Sequence, residues 1–418
     1  MMKKLLSLMA AVGMLTFFAA CSEDDDPTGP INSGSGNVIV DANITENTTW
    51  TKDNIYELAT RVAVESGATL TIEAGTVIKG QAGTGSNATA LLVARGAKLM
   101  AMGTASEPII FTSVADEITS GEIASPNLDA DLNGLWGGLI ILGNAPISAD
   151  AASVQIEGIP VSDTNGLYGG TAADDNSGVI EYISIRHGGA NIGEGNEING
   201  LTLGGVGSGT VISHVEIVAN QDDGLECFGG TVDVSNVLVW NQGDDAYDMD
   251  QDYTGTVDNF IFIGGANSDH AMELDGPEGA QDNGGFVLRN GSLKGYNDGG
   301  VNGGEYIDFR SGVKGSVENC YFFNFSETSD VELDNNEVAA NWLDGSLDVS
   351  GLEFNVSHLT AGNMTIGEIF VDKGDDVDDA FATRAPGAAI VTTPTVGADK
   401  AAFAAWTWAD VNGELADF

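Results

Sequence analysis

A chain of 418 residues with 62 Asp and Glu against 15 Lys and Arg carries a formal charge of −47. A field of that sign repels nucleic acid and anionic membrane surfaces, attracts divalent cations and suits neutral partners. With 42% hydrophobic and 18% charged residues the chain is expected to fold, and its 57 glycines call for many tight turns.

Residues 1–20 have the pattern of a secretory signal peptide. Lys3 and Lys4 make a basic start, and Leu5 to Phe18 form an apolar run too short to span a membrane. The run ends Phe18-Ala19-Ala20-Cys21, which resembles a bacterial lipobox whose cysteine is lipidated. The simpler alternative is an ordinary signal peptide followed by a chance cysteine. Ser22-Glu23-Asp24-Asp25-Asp26 resembles the lipoprotein export signal of Bacteroidota, and also makes a solvated acidic tether over residues 21–37. The expected address is the outer membrane, anchored in its lipid through Cys21 and exposed at the cell surface.

From residue 38 to residue 371 the sequence repeats. Val64-Glu65-Ser66-Gly67-Ala68-Thr69-Leu70 and Val93-Ala94-Arg95-Gly96-Ala97-Lys98-Leu99 are near-copies with period-two apolar alternation and Gly-Ala turns. Similar short strands follow at Trp136–Gly143, Val179–Ile185, Val211–Ile217, Val232–Val239, Val257–Ile263, Phe286–Leu293, Val317–Phe325 and Leu352–Leu359. A repeat of roughly 20–35 residues built only of strands is a solenoid. The fold class expected is all-β, a right-handed parallel β-helix of about ten coils, on the order of 50 Å long. Residues 372–418 break the rhythm and are expected to cap the last coil, with Trp406 and Trp408 packed on it or, alternatively, displayed as sugar platforms.

Three phrases carry a family resemblance: Trp136-Gly137-Gly138-Leu139-Ile140-Ile141-Leu142-Gly143-Asn144, Asn199-Gly200-Leu201-Thr202-Leu203-Gly204-Gly205, and Asp222-Asp223-Gly224-Leu225-Glu226-Cys227-Phe228-Gly229-Gly230. They resemble secreted and lipid-anchored right-handed β-helix proteins of Bacteroidota, pectate-lyase-like in fold. The resemblance implies fold and address from about Asn37 to the C-terminus, and no particular chemistry.

Aligning the coils places Leu201 and Leu203, Leu225 and Cys227, Tyr247 and Met249, Met272 and Leu274, Ile307 and Phe309, and Val331 and Leu333 inward. The residues between them point out: Thr202, Glu226, Asp248, Glu273, Asp308 and Glu332. The next outward column reads Gly204, Phe228, Asp250, Asp275, Arg310 and Asp334, and the corners add Asp222, Asp223, Asp244, Asp245, Asp269 and Asp330. Unit charges about 4.8 Å apart repel by roughly 3.5 kcal/mol at an effective dielectric of 20. Such a column spreads, protonates in part or holds cations. Hard oxygen donors favour Ca²⁺, with Asp223, Glu226, Asp245, Asp248, Asp250, Glu273 and Asp275 as candidate ligands. The competing reading is a solvated acidic face with sodium counter-ions.

Cys227 and Cys320 sit in alternating runs as small buried hydrophobes. His270 reads as a surface turn residue. Gly243-Asp244-Asp245 resembles one phrase of polygalacturonase-type hydrolases, but the Arg-x-Lys phrase of those enzymes is missing. Candidate catalytic residues are Asp223, Asp245, Asp308 and Arg310. The function expected is a non-catalytic glycan-binding, adhesion or structural rod with a calcium-binding acidic face. The alternative is a polysaccharide lyase or glycoside hydrolase.

Overall fold

The computed structural model describes residues 36–192, 198–297, 302–303, 305–359, 364–374 and 380–418. The signal segment, Cys21 and the tether up to residue 35 lie outside them. Two long sheets wind together as a parallel β-helix. One is ten-stranded among the described residues and runs from Arg61–Val64 through Ala90–Val93, Leu139–Leu142, Leu201–Gly204, Leu225–Phe228, Tyr247–Asp250, Glu273–Asp275, Ile307–Arg310 and Val331–Leu333 to Phe370–Asp372. Every pairing in it is parallel, coil to coil. The inward residues Leu203, Cys227, Met249, Leu274, Phe309 and Leu333 are fully buried in one continuous core. No single coil could bury its own apolar face, so the stack supplies the core.

The second sheet contains strands that bend in the middle. Gly178–Arg186, Val211–Val218, Val234–Trp240, Thr256–Ile263 and Phe286–Lys294 each hold one non-glycine residue with positive φ: Tyr182, His214, Asn236, Asn259 and Asn290. Asn tolerates the left-handed region better than other non-glycine residues. Stacked asparagines also bond to each other, with Asn259 Nδ2 donating to Asn236 Oδ1 at 2.6 Å. The bend gives each coil an extra corner.

On the outer side of these strands Val218, Leu238, Trp240, Ile261 and Ile263 form a second apolar face. Here the structure corrects the expected cap. Phe403, Trp406, Trp408, Ala409 and Leu415 pack on this flank, beside the middle coils and not on the last one. Trp406 stacks edge-on against Tyr182 and Trp408 against Trp240, at 5.5 and 5.7 Å. Both indoles are buried, at 1% and 4% exposure, so neither is a sugar platform. The physical reason is that the flank has apolar residues on both faces and must be covered. Beneath the segment, Arg186 and Glu216 are fully buried 3.5 Å apart, Glu216 Oε1 accepts the Ala409 N–H at 3.0 Å, and the Arg186 guanidinium lies 5.0 Å from the Trp408 ring.

The last coils end differently from expectation. Parallel pairing passes residue 371, because Gly387–Ile390 adds to Leu347–Asn355. Short helices close over the core there. Asn336–Asp344 is capped by the Asn335 side chain, which accepts from the Glu337 and Val338 N–H groups, and ends at Gly345 with φ 86°. Trp342 packs on Phe381 at 4.9 Å, and Phe381 on Phe370 at 5.0 Å. No helix among the described residues is long and apolar enough to cross a membrane.

Between Asn144 and Asp175 an insertion lies over the ten-stranded sheet. Its Ile147, Ile156, Ile159 and Tyr168 cluster with Ala63, Leu92, Ile140 and Phe228. One outward column therefore reads Ala63, Leu92, Ile140, Thr202, Glu226, Asp248, Glu273, Asp308, Glu332. It is apolar where the insertion covers it and acidic beyond.

Candidate acidic ladder site

The strand register stacks Glu226 on Asp248, Asp248 on Glu273, Glu273 on Asp308 and Asp308 on Glu332. Sequence reasoning pointed these side chains into solvent. Instead Glu226 is 5% exposed, Asp248 8% and Asp308 7%. Asn199, one coil above, helps close the column: its Nδ2 donates to Glu226 Oε2 and, at 3.2 Å, to Glu157 Oε1 from the insertion. Neither Asn199 nor Glu157 was singled out from the sequence, because each reaches the ladder only through coil stacking.

The corner aspartates have a structural task. Asp223 Oδ1 accepts the Asp245 N–H at 2.9 Å, and Asp245 Oδ1 accepts the His270 N–H at 2.6 Å. Each corner thus fixes the backbone of the next coil, satisfying donors that a bare turn would leave open.

Two electrostatic regimes divide the ladder. In the upper part Asp223, Glu226 and Asp248 are all buried, with one oxygen of each within 4.8 Å of the others. Asp248 Oδ1 has no hydrogen-bond partner. Burial first, then repulsion from neighbouring carboxylates (Asp245 on Asp223, Asp223 on Glu226, Asp250 on Asp248), pushes all three carboxyls well above the usual range. Asp250 is pushed up to about 8 by burial and then by Asp275. Asp248, Asp250 and Asp275 form a second close trio.

Lower down, the chain supplies its own cations. Arg310 contacts Glu273 and lies 3.7 Å from both Asp275 and Asp308. Lys373 contacts Glu332. His270 Nδ1 stands 2.9 Å from Asp245 Oδ1 and 3.4 Å from Glu273 Oε2, with its side chain 15% exposed. It is not a free surface turn residue. Burial opposes its protonation, but the Asp245 hydrogen bond and charge outweigh that and raise it to about 9. Asp308 rises to about 7, mainly by burial.

Of the candidate ligands, Asp223, Glu226 and Asp248 come together in one trio and Asp248, Asp250 and Asp275 in another, Asp275 lying also near Arg310, whereas Asp245 is engaged by His270 and Glu273 by both His270 and Arg310. Of the candidate catalytic residues, Asp245, Asp308 and Arg310 lie on one connected line through His270 and Glu273, and Asp223 sits one coil above. Asp252, two residues past Asp250, turns away and accepts from the backbone of Asn283 and Gly284. Cys227 and Cys320 are free thiols in the core. His214 stacks on Tyr182 at 4.1 Å beneath Trp406, and His187 meets Trp408 at 5.6 Å. Beside the ladder a cavity of about 450 Å³ is lined by Glu157, Tyr168, Phe228, Gln251 and Glu278 among others.

Parallel coils, a continuous core and side-chain ladders define the class: a parallel β-helix protein. A family model described as a pectate-lyase like beta helix domain matches residues 42–409, and the chain belongs to that family. Comparison with curated proteins and with solved structures found no match.

Proposed function

We propose that the upper ladder holds calcium and that the protein is a non-catalytic surface rod that binds glycans. One contrast carries the cation reading. Below Asp248 each acid of the stacked column, Glu273, Asp308 and Glu332, has an Arg, His or Lys against it, whereas among the described residues no Lys or Arg pairs with Asp223, Glu226 or Asp248. Burying charges without partners is costly, so the upper trio calls for an ion from outside. Carboxylates are hard oxygen donors, and calcium accepts roughly six to eight such ligands in flexible geometry. The adjoining cavity, walled by the Tyr168 and Phe228 rings and edged by Glu157, Gln251 and Glu278, has the mixed aromatic and polar character that suits a sugar. The net charge excludes acidic polymers unless a cation bridges them. Lipid anchorage through Cys21, and display at the outer membrane surface, belong to the same proposal and rest on the sequence at residues 1–26.

Thermal melting of the protein in CaCl₂ and in EDTA tests the cation. Calcium should raise the midpoint by several degrees; an unchanged midpoint would sink the reading. A glycan array without hits would remove the sugar and leave a structural rod. A polysaccharide-degrading activity is the second reading, favoured by Asp308 at about 7 next to Arg310. Release of reducing ends or unsaturated products, lost in Asp308→Asn, would establish it.

A further inference from the structure

We infer that the ladder binds two cations that share Asp248. This rests on the cation reading above and extends it to stoichiometry and order of filling. Asp248 belongs to two separate trios: one with Asp223 and Glu226, the other with Asp250 and Asp275. In each trio one oxygen per residue lies within 4.8 Å of the others. Asp248 itself is 8% exposed, and its Oδ1 has no hydrogen-bond partner. A buried, unpartnered carboxylate oxygen costs free energy unless something accepts its charge. A carboxylate offers about four lone-pair directions on two oxygens, enough to face an ion on each side.

The coil stacking explains why the trios are distinct. Glu226 is the register partner of Asp248 in the coil above, and Asp223 stands at that coil's corner. Asp250 follows Asp248 by two residues on the same face, and Asp275 comes from the coil below. Asp248 is the one carboxylate common to both. Downward the row stops there, because Glu273, the register partner of Asp248 below, is taken by Arg310 and His270.

The two sites are unequal. Arg310 Nε lies 3.7 Å from Asp275 Oδ2, and Ser311 Oγ donates to Asp275 Oδ1 at 2.5 Å. The lower trio is therefore already partly neutralised, and the upper one is not. The upper site fills first and tightly, the lower one second and weakly.

Calcium titration by calorimetry, with metal analysis of the full chain, tests this. Two bound Ca²⁺ per chain are expected, their affinities at least tenfold apart. Asp275→Asn should remove the weak event only, Glu226→Gln should weaken the tight one at least tenfold, and Asp248→Asn should remove both. Arg310→Gln, at a half-exposed position, should tighten the weak site alone. A single event in the wild type, or one wild-type-affinity event surviving in Asp248→Asn, overturns the shared ligand and leaves a one-cation site standing. No binding in the wild type overturns both the inference and the reading beneath it. If Asp248→Asn does not fold, the opposite effects of Asp275→Asn and Arg310→Gln on the weak event decide, and the lack of either refutes the proposal.

Discussion

Asp245 Oδ1 accepts the backbone N–H of His270 at 2.6 Å and meets Nδ1 of the same residue at 2.9 Å. One oxygen thus sets a turn and holds a ring. The ring faces Glu273 at 3.4 Å, and the charges of Asp269 and Asp308 also favour its protonation. With a folded value of about 9 against about 6.5 in the unfolded chain, His270 adds stability in full below pH 6.5 and loses it as pH rises through 9. Denaturant midpoints from pH 6 to 10 should fall for the wild type, and less for His270→Gln. An NMR midpoint for His270 at or below 6.5 would contradict this.

The carboxylates act in the opposite sense. Asp250 at about 8 and Asp308 at about 7 bind protons more tightly in the folded chain than in the unfolded one. Their contribution is therefore present below about pH 4 and is lost as pH rises towards 8. Metal-free protein should lose stability across that window, and saturating calcium should flatten the slope. A slope identical with and without calcium would count against the ladder as a cation site.

Arg186 and Glu216 permit a test of the buried ion pair. Removing one partner, as in Glu216→Gln or Arg186→Met, should cost about 3–5 kcal/mol, because it strands a charge in a dry flank. The double variant Arg186→Met with Glu216→Leu should cost less than either single change. Urea unfolding of the three variants gives the comparison, and simple additivity would refute it.

Trp408→Ala should destabilise by about 3–5 kcal/mol as a large-to-small change in a packed cluster. Limited proteolysis should then cut within residues 399–418 before it reaches the coils. A cleavage pattern unchanged from wild type would show that the segment does not depend on this side chain.

Much of this architecture is legible in the residues. Apolar positions two apart, as in Leu225 and Cys227 or Tyr247 and Met249, fix the inward face, and the ladder register follows by aligning them. Its burial does not follow, because Asn199 reaches Glu226 only through coil stacking, and Glu157 joins that amide only through an inserted loop. The flank was signalled yet unused: Val237-Leu238-Val239-Trp240 and Phe260-Ile261-Phe262-Ile263 do not alternate, which marks strands buried on both sides. The asparagines at 236, 259, 290 and 319 recur at one place in successive coils and mark the bend. Asn335 and Gly345 bracket the longest helix among the described residues with ordinary start and stop signals. The pairing of His270 with Asp245 spans 25 residues and could be read only after the coil length was known.

The C-terminal segment ties residue 409 to residue 216, 193 positions earlier. A stack of coils alone is a chain of neighbour contacts, which under tension unwinds one turn at a time from its free end. Here a load applied at the C-terminus meets the middle of the stack first, through the Ala409–Glu216 bond and the Lys294–Asp417 ion pair at 2.7 Å. The segment works as a seat belt: the last coils are bypassed by the force path, and rupture should come as one cooperative event and not as a ladder of small ones.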